Sequence, residues 1–395
     1  MEIDMRLEEL KQHYLVGEIK VMIIGLGSVG GYLLDYLLGS ENERLTVIVA
    51  GRDRAKMEAD INIARTAATI RRTNRSRVVI ADGVDLENPD TVACCLKVHQ
   101  PDIIVNTSRV CAGLKYGSIS WKSFRAYGIW TPLSIRFIRN IMKAYEAAGC
   151  RAVVINTSYS DASIPWLRSA GAAYPDFGSG NVNHLLPRIR FAVAQKYRIR
   201  DFWNIDAILA TSHFHDVVIS KEGHTEGVKQ LLEVRYQDKR LEIDQDEIFR
   251  ACKIPMPTDA KRNMMNASSN FELIQAMLRA LENGSRERVF SPGAFGEMGG
   301  YPVLIDSSGP VPCARIDCSV FSLEEMRAKN RESLALDGIE DIRDGCLIYT
   351  DRLLEKVQAA FGAQLPKTVP FDEIDQAARY ITETIIRPAL GKQEQ

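Results

Sequence analysis

The chain has 395 residues, of which 46% are hydrophobic and 26% are charged, and its formal net charge is −1. This length and composition are ordinary for a globular protein with two packed domains. The near-zero charge produces no field that would recruit nucleic acid, and no apolar run reaches the roughly 18 residues that a membrane span requires. We therefore expect neither nucleic acid nor a membrane as a partner.

The N-terminal segment, MEIDMRLEELKQHYLVGEIK, is amphipathic and mixed in charge. It lacks the basic start and apolar centre of a secretory signal peptide, so we expect a helical extension over residues 1–17 and a cytoplasmic protein. The eight cysteines include no Cys-x-x-Cys pair and no short cluster with histidine. We therefore expect reduced, packed cysteines and no metal site.

The next segment, IKVMIIGLGSVGGYLLDYLL, indicates a dinucleotide-binding turn. Residues 21–24 form an apolar strand pattern, a G-x-G-x-x-G motif follows, and residues 32–38 form an apolar helix face. The first glycine permits a tight turn, the second lets a diphosphate approach the backbone, and the third lets helix and strand pack closely. The helix N-terminus then favours the anion. The expected cofactor contacts in this turn are Gly25, Gly27, Ser28, Val29 and Gly30.

The second strand, in LTVIVAGRDRAK, bears on which dinucleotide binds. NAD-selective sites usually end this strand with Asp or Glu, which accepts a hydrogen bond from the ribose 2′-hydroxyl. Here Gly51 ends the strand and Arg52 and Arg54 follow, which suits a 2′-phosphate. Asp53 could serve as the ribose acceptor if the strand runs two residues longer. We favour NADP(H) and keep NAD(H) as the alternative.

Helices and strands continue to alternate through the first half. A helix over residues 55–69 precedes the strand VVIAD, and a further helix precedes a fourth strand over residues 103–105. That strand ends in Asn106, Thr107 and Ser108, which lie against the dinucleotide in a doubly wound sheet. The amphipathic helix TPLSIRFIRNIMKAYEAAG and a fifth strand in RAVVINTS complete the pattern, which predicts a parallel sheet.

From the fifth strand onward the chain resembles the lactate and malate dehydrogenase superfamily, which also includes NAD-dependent glycosidases that act through redox chemistry. The resemblance covers roughly residues 18–362 and rests on ADINIARTAA, VVINTSYSDASIPWL, GSGNVNHLLPRIR, ILATSHFHDVV, SPGAFGEMGGYPVLI and FSLEEMRAKNRESLALDGIEDI. It implies an α/β protein with a Rossmann-type doubly wound parallel sheet, followed by an α+β lactate/malate-dehydrogenase-like C-terminal domain. We place the dinucleotide-binding domain at residues 18–160 and the catalytic domain at residues 161–395.

The resemblance also implies roles for an asparagine and a histidine. Asn156 matches the family's asparagine that touches both nicotinamide and substrate, with Thr157 in place of the following proline. His213, in ILATSHFHDVV, matches the catalytic histidine, in a turn that leads to a further strand. An imidazole has the right ordinary pKa to exchange a proton with substrate near neutral pH. A carboxylate behind it would fix its tautomer, and Asp161 and Asp216 are both candidates for that role.

In GSGNVNHLLPRIR, the matching family segment carries an aspartate and a carboxylate-binding arginine. Here His184 stands at the aspartate position and Pro187 at the arginine position, with Arg188 one residue later. His184 is therefore the second acid/base candidate, and we expect it to share at most one proton with His213 near neutrality. Asn183 and Arg188 are candidate substrate contacts.

Four further side chains are candidates for substrate contact: Arg109, Lys115, His215 and Ser268. The first two follow the fourth strand, where the family has a mobile loop that closes over substrate. His215 lies two residues beyond His213 and is expected on the same face, as in an extended chain. Ser268, in MNASSNFEL, could reach substrate or cap a helix.

Together these features predict an NAD(P)-dependent oxidoreductase that transfers a hydride between nicotinamide and a small polar hydroxy or keto substrate. Two alternatives remain at this point. One is a lyase or hydrolase that borrows a hydride and returns it, and the other is a non-catalytic dinucleotide sensor. The sensor stays open because the family's aspartate and arginine are missing from their usual positions. We expect a homodimer or homotetramer.

Overall fold

The computed structural model describes residues 2–110 and 113–391, and within these ranges it leaves the side chains of residues 113–116, 118, 181 and 391 undescribed. No helix in the described ranges is long and apolar enough to cross a membrane. The seven cysteines in these ranges have free thiols, and Cys111 lies outside them.

In the part of the chain that the structure describes, six parallel strands form a central sheet in the order β3-β2-β1-β4-β5-β6. These strands are β1 (Ile19–Ile24), β2 (Leu45–Ala50), β3 (Arg77–Ala81), β4 (Ile103–Asn106), β5 (Val153–Asn156) and β6 (Phe177–Gly178). In register, Val21 lies between Val47 and Ile103. The strand order reverses between β1 and β4, and ligands of doubly wound sheets bind at that point. The predicted parallel sheet is thus confirmed.

Helices cover both faces of this sheet, which explains why β1 and β2 are nearly continuous apolar runs. The helices of the first half are α1 (Glu2–Val16), α2 (Ser28–Leu38), α3 (Arg54–Ile70), α4 (Pro89–His99), α5 (Gly113–Ser123), α6 (Thr131–Ala148) and α7 (Ser160–Ser169). Helices α1, α2 and α3 share one core with the sheet, and α4, α6 and α7 share the core on the other face.

The N-terminal helix packs on the sheet rather than standing apart from it. Ile3, Leu7, Leu10 and Tyr14 are buried, and this spacing of three and four residues places them on one helix face. On the same helix, Arg6 forms an ion pair with the buried Asp176, next to β6. The amphipathic pattern of the N-terminal segment therefore has a structural cause in the first half's own core.

The second half combines helices with small antiparallel sheets. Its described strands form three sheets: β7 (Ile205–Ala210), β8 (Leu231–Tyr236) and β9 (Lys239–Arg240); β10 (Arg286–Pro292), β11 (Gly300–Asp306) and β12 (Cys313–Ile316); and β13 (Ile339–Arg343), β14 (Cys346–Tyr349) and β15 (Thr368–Pro370). Its helices are α8 (Leu185–Tyr197), α9 (His213–Glu222), α10 (Gln245–Ala251), α11 (Asn263–Asn283), α12 (Leu323–Leu336), α13 (Asp351–Phe361), α14 (Ile374–Ile381) and α15 (Arg387–Gly391). The predicted α+β character is confirmed.

Short helical turns complete the described fold. Six are 3₁₀ helices within the described ranges: Gly128–Trp130, Asn181–His184, Phe202–Asn204, Ala260–Arg262, Ala294–Gly296 and Phe371–Glu373. A π-helix, Thr382–Ile386, joins α14 to α15. Two of the 3₁₀ helices, Asn181–His184 and Ala260–Arg262, lead directly into α8 and α11 and so fix where those helices begin.

The C-terminal part of the chain returns to the first half. Arg136 and Arg139 on α6 each place a guanidinium nitrogen 2.8 Å from the Asp375 carboxylate on α14. Ile374 and Ile381 of α14 belong to the same core as the sheet residue Ile104. The two halves of the chain therefore share apolar packing, while the division into domains at residue 160 stays a prediction.

Candidate active site

A cleft of about 1340 Å³ separates the carboxyl ends of the sheet strands from α9 and the start of α11. Its walls contain the predicted glycine turn on one side and His184 and His213 on the other. Asn263, at the first position of α11, donates a hydrogen bond to the Ser28 hydroxyl at the start of α2. The cleft lies at the edge of the sheet where the strand order reverses. The predicted glycine turn and the two predicted acid/base histidines line it together.

The glycine turn has the geometry that a bound diphosphate needs. Gly25 has a φ of +94°, in the left-handed region that favours glycine. A Cβ at Gly30 would lie 2.3 Å from the Gly25 carbonyl oxygen, so α2 packs against the turn only without one. A Cβ at Gly27 would meet no atom within 4 Å, because this residue faces the open cleft. The backbone at Gly27 and the N-terminus of α2 therefore offer an open cradle for an anion.

The end of β2 presents both cations and an acid to the cleft. The strand ends at Ala50, and Gly51, Arg52, Asp53 and Lys56 line the cleft beyond it. Asp53 is the N-cap of α3, and its carboxylate accepts a hydrogen bond from the Lys56 backbone N–H at 3.1 Å. The strand thus ends at Ala50 and does not run on to Asp53.

Arg54 differs from the sequence expectation. Its guanidinium points to the exposed Asp82 at 3.5 Å, and it does not belong to the cleft lining in the described residues. Lys56, two residues further along α3, lines the cleft instead. The reason is the helix that begins at Arg54, since it turns successive side chains in different directions.

The two asparagines at the strand ends are structural in this fold. Asn106 and Asn156 are fully buried, and the Asn106 side-chain amide donates to the Asn156 side-chain oxygen at 2.9 Å. The Asn156 amide in turn donates to the Ser158 carbonyl and to the Ser160 and Ser163 hydroxyls. These bonds tie Asn106 to Asn156 and Asn156 to the start of α7, and neither asparagine belongs to the described cleft lining, so their contact with cofactor or substrate stays a prediction.

The residues that follow those strands reach the cleft instead. Thr107 and Ser108, after β4, line it, and the Thr107 hydroxyl donates to the Gly25 carbonyl at 2.5 Å. Thr157, at the position of the family's proline, also lines it. Arg109 is exposed at the cleft edge, and its guanidinium donates to the Thr157 carbonyl at 3.3 Å. Lys115 lies among the residues whose side chains fall outside the described set.

His213 begins a helix rather than a turn that leads to a strand. Five residues of α9 line the cleft, with a spacing of three and four residues that is typical of one helix face: His213, Asp216, Val217, Ser220 and Lys221. His215 lies on the opposite side, where its ring contacts the Ser333 hydroxyl and the Thr225 carbonyl. The prediction that His213 and His215 share a face is therefore wrong, since successive positions on a helix differ by about 100°.

His213 is held by a carboxylate that the sequence does not indicate. Its ring Nδ1 lies 3.3 Å from Oδ2 of Asp337, which follows α12 and is fully buried. The same carboxylate accepts hydrogen bonds from the Tyr159 hydroxyl at 2.6 Å and the Tyr127 backbone N–H at 2.7 Å. A carboxylate accepts, so Nδ1 carries the proton and Nε2 is the nitrogen for exchange with a substrate.

Asp161 contacts the same histidine through the backbone. Its carboxylate accepts a hydrogen bond from the His213 N–H at 3.0 Å. The rings of Tyr127 and Tyr159 stand edge-on to the imidazole, with centroids 4.7 and 5.3 Å away. Asp161 therefore fixes the start of α9, and the tautomer of the ring is set by Asp337 rather than by Asp161 or Asp216.

The surroundings of His213 and His184 shift the pKa values of the two imidazoles in opposite directions. Burial lowers the pKa of His213, but the hydrogen bond and charge of Asp337, with the charges of Asp161 and Asp216, raise it above its ordinary value. Burial lowers the pKa of His184 to about 3, assisted by the positive charges of Arg262 and Arg188. Of the two imidazoles, His213 therefore binds a proton more readily, and His184 stays neutral near pH 7.

The pKa values of two buried acids beside His213 are also raised. Burial raises the pKa of Asp161 to about 6 and that of Asp216 to about 7, against the lowering effect of His213. Both side chains line the cleft. Protonation of Asp161 or Asp216 near neutral pH therefore costs little free energy, which is typical of sites that move protons.

The remaining substrate candidates lie away from the cleft. The guanidinium of the buried Arg188 donates to the Cys252 carbonyl at 2.9 Å and contacts the Met256 sulfur. The Asn183 amide donates to the Phe290 carbonyl at 2.6 Å. Ser268 is exposed, and its hydroxyl donates to the Met264 carbonyl within α11. These contacts correct the expectation that the three residues reach a substrate in this arrangement.

Two functional candidates were missed by sequence reasoning. Asp337 lies 124 residues from His213 in the chain, and no local pattern connects them. Arg262 lines the cleft directly before α11 and lowers the pKa of His184. No local pattern in the segment TDAKRNMMNASSN singles out Arg262, since cations favour the end of a helix and not its start.

Comparisons with known proteins agree with this architecture. No family model matches the chain, and no curated protein matches it. Among solved structures, a malate dehydrogenase of Cryptosporidium parvum is 14% identical, with a TM-score of 0.50, over 81% of this chain and 98% of that chain. A malate dehydrogenase of Aeropyrum pernix is 15% identical, with a TM-score of 0.51, over 80% of this chain and 94% of that chain.

A third solved structure is the lactate dehydrogenase of Cryptosporidium parvum, complexed with lactic acid and nicotinamide adenine dinucleotide. It is 14% identical to this chain, with a TM-score of 0.51, and the match covers 81% of this chain and 97% of that one. At such identities the likeness concerns the fold. The chain therefore has the lactate/malate dehydrogenase fold, and the resemblance seen in the sequence is confirmed at that level.

Proposed function

We propose that the protein is an NAD(P)-dependent oxidoreductase that transfers a hydride between nicotinamide and a small polar hydroxy or keto substrate. The observation that carries the proposal is the hydrogen-bonded pair of His213 and Asp337 on the same cleft as the glycine turn. The sequence left a non-catalytic sensor open because the family's aspartate is missing. A buried carboxylate from another element now stands behind the histidine, which supports an enzyme.

The residues present fit a dinucleotide. The open backbone at Gly27 and the first turn of α2 would hold the diphosphate, and the side chains beyond β2 would contact the adenosine ribose. Thr107, Ser108 and Thr157, at the ends of β4 and β5, lie toward His213 and would border the nicotinamide. When bound, the nicotinamide supplies or accepts the hydride.

His213 performs the proton transfer in this proposal. In reduction, its Nε2 donates a proton to the carbonyl oxygen, which becomes the hydroxyl of the product. In oxidation, Nε2 takes the proton from the substrate hydroxyl while the carbon loses its hydride. Asp337 holds Nδ1 and stabilises the imidazolium in both directions. Tyr127 and Tyr159 pack against the ring and limit its rotation.

The function is tested with purified protein, NADH or NADPH, and a panel of small keto and hydroxy compounds. A net change in absorbance of the reduced nicotinamide supports the oxidoreductase. Product formation without any net change would instead indicate a lyase or hydrolase that returns the hydride. Tight dinucleotide binding with no product from any panel member would contradict the proposed activity.

For the cofactor we propose NADP(H) over NAD(H). Arg52 and Lys56 line the cleft beyond β2, while the Asp53 carboxylate is engaged as the cap of α3. A 2′-phosphate carries the charge that these cations complement, and charge-assisted hydrogen bonds are stronger than neutral ones.

Replacing Arg52 with alanine should raise the Kd of NADPH by about tenfold to a hundredfold. The reason is the loss of one charge-assisted hydrogen bond, which contributes about 1.5–3 kcal/mol to binding. The Kd of NADH should change much less, because NADH lacks the 2′-phosphate. Calorimetric titration with both cofactors measures this. The matched control is Arg54→Ala, which removes a neighbouring arginine that faces Asp82 outside the cleft lining. Equal losses for both cofactors would favour Asp53 as the ribose contact and NAD(H) as the cofactor.

The hydrogen-bonded pair of His213 and Asp337 also predicts how turnover depends on pH. Reduction needs protonated His213, so its rate should be constant at low pH and fall as pH rises through the raised pKa of this group. Oxidation needs the neutral His213 ring, so its rate should rise as pH rises through the same pKa. Asp337→Asn removes the charge that raises this pKa, so both limbs should move to lower pH. Unchanged profiles in a folded Asp337→Asn protein would show that Asp337 does not set the protonation of His213.

A further inference from the structure

The cleft continues past His213 into a polar region formed by α9, the 3₁₀ helix Asn181–His184 and the start of α11. We refer to this region as the polar pocket, and its members are His184, Asp216, Ser220, Lys221, Arg262 and Asn266. Arg262 lines the same cleft as His184, Asp216 and Lys221, and its charge lowers the pKa of each of these three groups. None of these side chains was assigned a task in the hydride-transfer step.

Polar atoms of the polar pocket are buried without a protein partner. Asp216 Oδ1 and Ser220 Oγ meet no group with hydrogen-bond geometry among the described residues, while the buried His184 ring and Asn266 side chain contact each other. Asp216, Asn266 and His184 are only 4%, 6% and 7% exposed. A buried polar group without a partner costs about 1–3 kcal/mol, and native proteins keep few of them. Their concentration at one end of a cleft is what a ligand-binding pocket requires.

The cations of the polar pocket favour a carboxylate. Arg262 lines the cleft, forms no ion pair within the part of the chain that the structure describes, and lowers the pKa of Asp216 through its charge. Burial and the charge of Arg262 lower the pKa of Lys221, whose ammonium lies 4.7 Å from the Trp121 ring centroid. Two neighbouring cations repel each other, and an anion placed between them would relieve that repulsion.

The acceptors of the polar pocket favour an ammonium group. Asp216 Oδ1 and Asn266 Oδ1 both accept hydrogen bonds, and the buried, neutral His184 ring has one acceptor nitrogen. An alkyl ammonium has three donors and no acceptor, whereas a hydroxyl has only one donor. A protonated amine can therefore donate to both Asp216 and Asn266, and its positive charge would favour the ionised form of Asp216, whose pKa burial raises to about 7.

We infer that the polar pocket binds the head group of an α-amino acid, with its carboxylate on Arg262 and Lys221 and its ammonium on Asp216 and Asn266. This rests on the proposed function, since it takes the cleft beside His213 as the substrate site. The reacting hydroxyl or keto group is then another part of the same molecule. The substrate class is accordingly an amino acid that carries a hydroxyl or keto group.

Binding can be tested without turnover. The protein, saturated with NADH or NADPH, is titrated calorimetrically with matched pairs that differ only in the 2-amino or 2-hydroxy group: serine with glycerate, threonine with 2,3-dihydroxybutyrate, and homoserine with 2,4-dihydroxybutyrate. At least one amino acid should bind, and about tenfold or more tightly than its hydroxy partner, the difference expected from one charge-assisted contact. Equal or tighter binding of the hydroxy partner, or no binding by any of the three amino acids, overturns the assignment.

The Asp216→Asn variant tests the ammonium contact directly, because it keeps the shape and removes the charge. The amino acid should lose about tenfold in affinity, and its hydroxy partner should lose little. Asp246→Asn, an exposed acid on α10, is the matched control and should keep the full preference. An unchanged preference in a folded Asp216→Asn protein would remove Asp216 from the pocket's recognition of the amine.

The readouts separate this inference from the proposed function. Hydride transfer to a keto compound with no preference for an amine would overturn the amino-acid pocket and leave the oxidoreductase standing. Selective binding of an amino acid with no net change in reduced nicotinamide, for any panel member, would contradict the oxidoreductase and support the pocket.

Discussion

Replacing His213 with glutamine is expected to lower turnover by roughly 10²–10⁴-fold, the usual contribution of positioned general acid–base catalysis. The side chain of glutamine keeps a polar group near Asp337 but cannot exchange a proton near neutral pH. The substituted residue lies at the first position of α9 and lines the cleft, so the loss should fall on kcat. Dinucleotide affinity and the folded state should be unchanged, which calorimetry and thermal unfolding would show.

The matched control for this prediction is His215→Gln. The control residue is also a buried histidine on α9, but it contacts Ser333 and Thr225 on the side away from the cleft. Its replacement should lower thermal stability more than it lowers kcat. His184→Gln should have a milder effect on turnover than His213→Gln, because the low pKa of His184 keeps it neutral. If His213→Gln kept near-wild-type turnover, the acid/base assignment would be wrong.

Replacing Gly27 with aspartate is expected to abolish dinucleotide binding. A Cβ at this position enters open cleft space without touching the protein, so the fold should tolerate it. The added carboxylate would then occupy the space of the diphosphate and repel its charge at the N-terminus of α2. Calorimetric titration with NADH and NADPH should show no binding, with circular dichroism like that of the wild type.

Gly31→Asp is the matched control for the glycine turn. It adds the same charge to α2, and its Cβ also meets no atom within 4 Å, but Gly31 lies outside the cleft lining among the described residues. Dinucleotide affinity should survive this change. Wild-type affinity in a folded Gly27→Asp protein would show that the turn does not hold the cofactor.

The sequence by itself determined the first half of the molecule. Apolar runs at β1 and β2, and glycines whose spacing suits a strand–turn–helix, are local features, and the sheet formed with the expected parallel order. The predicted dinucleotide turn, Arg52 and His213 all lie on one cleft. Local signals sufficed because each depends on a backbone conformation or on burial that a few neighbouring residues establish.

In the second half, the sequence pattern does not decide whether a short apolar segment forms a strand or a helix. The segment HFHDVVIS is mostly apolar and short, and such a run fits either a buried strand or a buried helix. The structure makes it a helix, and that choice alone separates His215 from His213 and brings Asp216 and Ser220 to the cleft. The face that a side chain occupies thus depended on packing between α9 and its neighbours.

Only the tertiary structure decided which groups act together. The carboxylate behind His213 comes from Asp337, because the end of α12 packs against α9 and the Tyr127 segment. Asn156, expected at the nicotinamide, forms hydrogen bonds with Asn106 on β4 and with Ser160 on α7. The polar pocket likewise combines α9, the 3₁₀ helix Asn181–His184 and the start of α11. Hydrogen bonds and charge pairs act over a few ångströms whatever the separation in sequence, so their partners follow from packing rather than from local pattern.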